Sequence, residues 1–242
     1  MKNLPSFVKW LAFIGSVSSI GVLFWLLNDT EAAKSNRAIY YGMRGGIVFF
    51  SMVGWFSSQS LISARSVRAG FIGDGMHELT APLHGYLAAH PRTADIVLIV
   101  SSALIDLLGI FLILASVFGP NMQPLAALII LFLMRQLCQG LCALPVPPGM
   151  IWRDPGFPSF LVTYEVANDF FFSGHTAIAV LGAIEAAQLF PWWIGAAVSL
   201  IALGEACVVL ILRAHYTLDV LTAVVAAFCA AGLASWIANL LS

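Results

Sequence analysis

The sequence predicts an all-α fold, a polytopic membrane helix bundle in which one extra N-terminal transmembrane helix precedes a six-helix core. Of the 242 residues, 60% are hydrophobic and 10% are charged, whereas soluble domains carry about 25% charged residues. Seven apolar segments approach the roughly 20 residues that a helix needs to cross a bilayer. No segment alternates polar and apolar residues as the strands of outer-membrane barrels do. Soluble enzymes, nucleic-acid-binding proteins and disordered regulators are therefore excluded.

The seven apolar segments divide the chain into two parts. Residues 1–41 are expected to hold the anchor helix and a linker, and residues 42–242 the six-helix core. Pro120 and Pro191 mark two short turns, because proline ends one helix and is accepted at the start of the next. The predicted spans are residues 8–27, 42–63, 95–118, 122–144, 172–190, 192–212 and 217–241.

The first apolar segment has two interpretations. Lys2 and Lys9 accompany an apolar run, a form that secretory signals share. The run is about 18 residues long, which exceeds the usual core of a signal and favours a retained anchor helix. We expect a multi-pass integral membrane protein of an endomembrane or of a bacterial inner membrane.

Charge and cysteine usage restrict the partners of the protein. Lysine and arginine together number 11 and aspartate and glutamate 12, a net charge of −1. Without a basic stretch, no nucleic-acid partner is expected. The four cysteines lie in apolar runs without metal-ligand spacing, so we interpret them as small hydrophobic residues. Neither a metal nor a cofactor is expected.

Two loops between the predicted spans carry informative composition. Residues 145–171 form the longest aperiodic loop and are rich in proline, glycine and aromatic residues. Loops of this length in a compact protein are usually functional. Residues 64–94 end in the segment HELTAPLHGYLAAHP, which we interpret as a short interfacial helix.

Nine ionisable residues lie in or beside the predicted spans, where each costs about 2.5–3.5 kcal/mol on insertion scales. Arg44 and Arg213 are near span ends and could extend their charge to the interface. Asp106 and Arg135 could form an ion pair or contact a substrate, and both alternatives remain open. Glu185 and Glu205 could bind each other or a neighbouring helix. The remaining three are His175, His215 and Asp219.

The two histidines and Asp219 are predicted to form one site at a membrane surface. The starts of the fifth and seventh predicted spans lie on the same face of the membrane, which brings His175 and His215 together. His215 and Asp219 are four residues apart and therefore share a helix face. A carboxylate at this position fixes the imidazole tautomer and leaves the other nitrogen as a nucleophile or base.

The segment Ser-Gly-His-Thr at residues 173–176 adds a predicted anion site. Free N–H groups and the positive end of the helix dipole lie at a helix start. Gly174 allows a phosphate oxygen to approach the backbone closely. Two histidines beside an anion site, without a zinc motif or a Walker loop, indicate phosphoryl transfer through a phosphohistidine.

These motifs resemble a known family. DFFFSGHT at residues 169–176 and HYTLD at residues 215–219 look like the two signature segments of sphingomyelin synthases. Arg135 followed by LPVPPG at residues 144–149 is similar to a third segment of that family. PLHGYLAAHP at residues 82–91 and the arginine at position 213 are similar to the plant phosphatidylcholine:diacylglycerol cholinephosphotransferases. Both groups resemble the wider superfamily of type 2 phosphatidic acid phosphatases.

The resemblance implies a phosphocholine-type headgroup transferase that acts on membrane lipids. The donor would be a phospholipid, and the acceptor would be a lipid hydroxyl, of diacylglycerol or ceramide. Whether the protein forms a homo-oligomer is left open. His215 would be the nucleophile, Asp219 its orienting partner and His175 the general acid and base. Aromatic residues of the long loop, Trp152, Phe157, Phe160, Tyr164 and Phe170, would face a choline group or form an interfacial belt. Candidate substrate-binding residues are Arg135, Asp169, Ser173, Gly174, Tyr216, Arg213 and Asp106.

Two other classes of protein remain as alternatives. A lipid phosphate phosphatase would use water in place of the acceptor hydroxyl. The phosphatases of the superfamily have a lysine motif that this sequence lacks, since none of its three lysines precedes the pattern. A membrane transporter would use Asp106, Glu185 and Glu205 as a relay, but the sequence shows no inverted repeat.

Overall fold

The computed structural model describes residues 5–29, 35–62, 70, 72–164 and 170–240, and all regular structure in these residues is helical. The prediction of an all-α membrane bundle is confirmed. In chain order the helices are α1 (Ser6–Asp29), α2 (Arg37–Ile62), α3 (Gly75–Leu79), α4 (Ala81–Ala89), α5 (Pro91–Phe118), α6 (Gln123–Leu141), α7 (Gly174–Leu189), α8 (Trp192–Ile211) and α9 (Thr217–Leu240).

Five of the described helices are long and apolar enough to cross a membrane, namely α1, α5, α6, α8 and α9. The sequence predicted seven such spans, and the other two correspond to α2 and α7. Helix α7 has 16 residues, about 24 Å at 1.5 Å per residue, which is shorter than the ~30 Å hydrocarbon core. Ser173 caps its start and Pro191 follows its end, so neither end can extend.

Helix α6 ends earlier than predicted. It ends at Leu141, and Cys142 is already extended, with φ −114° and ψ 138°. Proline at position 145 and again at 147 and 148 disfavours helix in the residues that precede it. Arg135 therefore lies six residues before the end of α6, whereas the predicted span to residue 144 would place it nine residues before the end.

Small side chains let α7 pack closely inside the bundle. Its neighbours are α5, α6, α8 and α9. Buried alanines on α7 and α9, among them Ala179, Ala183, Ala223 and Ala227, are at most 7% exposed. Small residues of this kind permit close approach of helix backbones in membranes. The first turn of α7, which carries His175, is thereby held in the centre of the bundle.

The predicted interfacial helix is two short helices, α3 and α4, and α3 is fixed to the start of α9. The Asp74 carboxylate accepts hydrogen bonds from the backbone N–H groups of Met76 and His77 and so caps α3. It also accepts bonds of 2.6 Å from the backbone N–H and from the hydroxyl of Thr217. Burial raises the pKa of Asp74, but the bonds from Thr217 and His77 outweigh it and lower the pKa.

Arg44 joins α2 to the end of α5 and to the turn before α6. It is fully buried and does not extend to the interface. Its guanidinium donates to the carbonyls of Ser116 (2.9 Å), Gly119 (3.0 Å) and Asn121 (2.6 Å). These carbonyls belong to the end of α5 and the turn before α6, where helix geometry leaves them without partners.

We expect Arg44→Leu to destabilise the protein strongly. A buried acceptor that loses its partner costs about 1–3 kcal/mol, and this change affects three acceptors at once. The free energy of unfolding should fall by about 3 kcal/mol or more, measured by thermal or denaturant unfolding in detergent micelles. The control is Arg37→Leu on the same helix, because Arg37 is exposed. Equal stability of the two variants would contradict this role for Arg44.

Candidate active site

His215 and Asp219 form the hydrogen-bonded pair that the sequence predicts. His215 Nδ1 lies 3.0 Å from Asp219 Oδ2, and both side chains are buried. Asp219 also accepts hydrogen bonds from the backbone N–H groups of Tyr216 (3.1 Å) and Phe171 (3.0 Å). Because a carboxylate accepts, Nδ1 carries the proton of His215 and Nε2 carries the lone pair.

The two signature segments are joined at Asp219. Its side chain binds the N–H of Phe171, and its backbone carbonyl accepts from the N–H of Ser173 at 3.2 Å. Ser173 Oγ in turn accepts from the backbone N–H (3.3 Å) and the hydroxyl (3.0 Å) of Thr176. The start of α7 is thus capped and attached to α9, which fixes His175 relative to His215.

His175, His215 and Arg135 line one cavity of about 630 Å³. The backbone of Gly174, at the start of α7, lines it as well. His175 is buried, and its Nε2 atom has no hydrogen-bond partner among the described residues. A buried donor or acceptor without a partner is costly, so this atom is suited to a ligand that enters the cavity.

The Arg135 guanidinium lies against the start of α7. A methyl group placed on Gly174 would be 3.4 Å from Arg135 Nε. Arg135 Nη1 donates to Gln59 Oε1 on α2 at 2.5 Å. The arginine and the helix start therefore present positive charge to the same part of the cavity, which is an arrangement suited to a phosphate.

Two of the five predicted aromatic residues line the cavity, namely Trp152 and Phe170. The Trp152 ring meets the His175 ring edge-on at 5.1 Å, and the Phe170 ring meets the His215 ring at 6.0 Å. Tyr164 packs behind Trp152 at 5.0 Å. Phe157 and Phe160 are 44% and 58% exposed and lie away from the histidines, which is typical of an interfacial belt.

Among the described residues, two non-glycine residues have positive φ, one within the first signature segment and one two residues before the second. Phe171 has φ +92° and Arg213 has φ +53°. A bulky residue at such an angle is strained, and strain of this kind is concentrated at functional sites. At Phe171 this conformation accompanies the bond from its N–H to Asp219. At Arg213 it accompanies bonds from the guanidinium to the carbonyls of Pro148 (3.0 Å) and His77 (3.5 Å).

Several candidate substrate-binding residues lie behind the cavity lining. Ser173 caps α7, Arg213 binds loop carbonyls, and the ring of Tyr216 stacks on His77 at 5.6 Å. Asp106 accepts hydrogen bonds from Ser159 Oγ, Phe160 N and Leu161 N. Its described contacts are therefore with the long loop. Asp169 is outside the described residues.

Sequence reasoning missed the residues that support the site from other segments. His77 Nε2 lies 2.9 Å from the carbonyl oxygen of His215, and Gln59 binds Arg135. Trp55 on α2 lines the same cavity. His77 lies in the segment interpreted as an interfacial helix, and the presence of a histidine there could have indicated a contact with the site. Gln59 and Trp55 had no signal, because a polar or aromatic residue in an apolar helix has many ordinary explanations.

Glu185 and Glu205 are also buried but are not part of the cavity lining. Glu205 on α8 accepts a hydrogen bond of 2.6 Å from Ser101 on α5. This agrees with the expectation that a buried carboxylate binds a neighbouring helix. Glu185 is 1% exposed on α7.

Comparison with known proteins identifies the family. A family model described as AtPDCT1/2, a phosphatidylcholine:diacylglycerol cholinephosphotransferase family, matches residues 73–236. No curated protein and no solved structure matches the chain. The matched region covers α3 to α9 except for the last residues of α9, and it contains His175, His215 and Asp219. The chain therefore belongs to the AtPDCT1/2 family of phosphatidylcholine:diacylglycerol cholinephosphotransferases.

Proposed function

We propose that the protein moves phosphocholine from phosphatidylcholine to the hydroxyl of diacylglycerol through a phosphohistidine on His215. The observation that carries the proposal is the shared cavity of His175, His215 and Arg135, next to the helix start at Gly174. The family match supports the choice of substrates. The His215–Asp219 pair supports the choice of nucleophile.

In the first half of the reaction, His215 Nε2 attacks the phosphorus of the donor. A phosphorus–nitrogen bond forms and the phosphorus–oxygen bond to the glycerol breaks. With the anionic phosphate of the donor beside it, His175 carries a proton, which it donates to the departing oxygen as diacylglycerol leaves. The positive charge that develops on His215 is stabilised by the Asp219 carboxylate at 3.0 Å.

In the second half, an acceptor diacylglycerol takes the place of the one that left. Its hydroxyl gives a proton to His175, and its oxygen attacks the phosphorus. The phosphorus–nitrogen bond breaks, and His215 and His175 return to their starting states. Donor and acceptor therefore use the same groups in reverse, as a symmetric exchange requires.

Arg135 and the start of α7 stabilise the charge on the phosphoryl oxygens. An arginine can hold two oxygens through its planar fork, and its guanidinium lies directly beside Gly174. The rings of Trp152 and Phe170 provide faces for a quaternary ammonium group, which aromatic residues bind through cation–π attraction.

The proposal predicts transfer to a lipid hydroxyl in preference to water. Purified protein is given phosphatidylcholine and a diacylglycerol with different acyl chains, and mass spectrometry follows new phosphatidylcholine that carries the acceptor's chains. We expect this product to form rapidly and free phosphocholine to form slowly when the donor is alone. Rapid release of phosphocholine that diacylglycerol does not suppress would instead show that water is the acceptor and that the protein is a hydrolase. Ceramide, tested in parallel, shows whether sphingolipid acceptors are used.

A further inference from the structure

A second cavity continues from the candidate active site into the apolar part of the bundle. It lies between α2, α5 and α6. Four residues line both cavities, namely Trp55, Phe132, Leu161 and Ile178. The two spaces are therefore adjoining parts of one path.

The second cavity is apolar throughout its lining. Ser51 and Trp55 are its lining residues that carry a side-chain hydrogen-bond donor. The Ser51 hydroxyl already donates to the carbonyl of Ile47 at 2.8 Å, and the indole N–H of Trp55 has no partner among the described residues. The others are aliphatic or aromatic residues and one glycine. No charged group lines it, so a hydrocarbon is the ligand that it would accept at least cost.

The direction of this path follows the helix axes. On α5 the lining runs from Ile105 at the histidines to Ile113, and on α6 from Arg135 to Leu125. These intervals are eight and ten residues, or about 12 to 15 Å at 1.5 Å per residue. The path thus leads away from the membrane surface and along the direction of the lipid chains.

Three of the shared residues mark the place where the polar cavity meets the apolar one. The rings of Trp55 and Phe132 stack at 5.2 Å on one side. Leu161 lines both cavities as well, and its backbone N–H donates to the Asp106 carboxylate at 2.8 Å. Gly109 leaves space for the Leu161 side chain, since any Cβ at Gly109 would overlap it.

We propose that this second cavity, which we call the groove, binds one fatty acyl chain of the glycerolipid whose headgroup or hydroxyl lies at His215. Continuity with the catalytic cavity, the apolar lining and the direction of the path select this occupant. The inference rests on the proposed function for the position of the headgroup. It assigns the N-terminal hairpin a role in substrate binding, because Trp55 and Met52 on α2 precede the region that the family model matches.

Photo-crosslinking tests the location of the fatty acyl chain without requiring turnover. A diacylglycerol with a diazirine near the methyl end of one chain is added to the His215→Ala variant in phosphatidylcholine nanodiscs. We expect labelling of groove residues Leu128 and Ile129 on α6, suppressed by unlabelled diacylglycerol. A diazirine near the carboxyl end should label Leu161 and Ile178 instead. Labelling confined to lipid-facing residues such as Leu114 and Leu137, which are 50% and 62% exposed, would overturn the proposal.

A groove-filling variant tests the consequence for catalysis. Met52→Trp places a larger side chain in the groove, so kcat/KM for long-chain substrates should fall at least about tenfold relative to short-chain ones. Phe49→Trp is the matched control, because Phe49 is 61% exposed on the same helix. An unchanged chain-length preference for a folded Met52→Trp protein would refute the groove. If the wild-type protein transfers no headgroup, the proposed function fails, and the crosslinking result still decides the acyl site independently.

Discussion

Replacing His215 by alanine should abolish headgroup transfer, with a loss of kcat of at least about three orders of magnitude. In the proposed reaction His215 supplies the bond-forming nitrogen, and the remaining groups cannot replace it. The fold should persist, because the change removes one side chain from the wall of a cavity. Exchange between phosphatidylcholine and a chain-labelled diacylglycerol gives the rate, and thermal unfolding in detergent gives the stability.

Three further variants separate catalysis from structure. His175→Ala and Asp219→Asn should each lose most of the activity, and the double variant of His175 and His215 should be no slower than the slower single one, because the groups act as a unit. The matched control is His90→Ala. His90 is exposed and its Nδ1 lies 2.8 Å from the carbonyl oxygen of Tyr86, within the interfacial segment.

A covalent intermediate gives a more direct test of the same step. Wild-type protein with choline-labelled phosphatidylcholine and no acceptor should retain label on one histidine, identified by peptide mapping after mild treatment. The His215→Ala variant should retain none. Near-normal exchange by His215→Ala, or label on His175 in the wild type, would end the proposal of a His215 intermediate.

The parts of the site that the sequence could predict are local. The four-residue spacing of His215 and Asp219 predicts their contact, and the structure has it at 3.0 Å. The serine before Gly174 predicts a helix start, and Ser173 caps α7. In both cases the residues concerned are close in sequence, so helix geometry alone determines their relative positions.

The contacts that the sequence could not predict cross between distant segments. Gln59 meets Arg135 across 76 positions, and Asp74 meets Thr217 across 143. Such contacts depend on which faces of the helices pack together, and apolar periodicity is weak evidence for this in a bilayer, where every face is apolar. The open question of Asp106 had the same origin. Its position allowed a pair with Arg135, whereas its described bonds go to the loop at residues 159–161.

Arg135→Lys should lose most of the activity while the protein keeps nearly its full thermal stability. The charge remains, but lysine cannot supply the two-oxygen fork that we propose for the phosphoryl group. Loss of one such donor from an active site costs about 100- to 1000-fold in kcat. Arg135→Lys keeps the positive charge and removes the two-oxygen fork. It therefore tests the fork more directly than a neutral substitution does.

Gln59 provides the matched test of how Arg135 is held. Gln59→Leu removes the acceptor of the 2.5 Å bond from Arg135 Nη1 without touching the histidines, so we expect a smaller loss of activity than for Arg135→Lys. Because the carboxylate of Asp106 is occupied by the loop, Asp106→Asn should not restore the stability of an Arg135→Gln protein. A melting temperature that collapses in Arg135→Gln and recovers in that double variant would show an ion pair within the bundle. Arg135 would then be a structural residue, and phosphate binding would fall to the start of α7 alone.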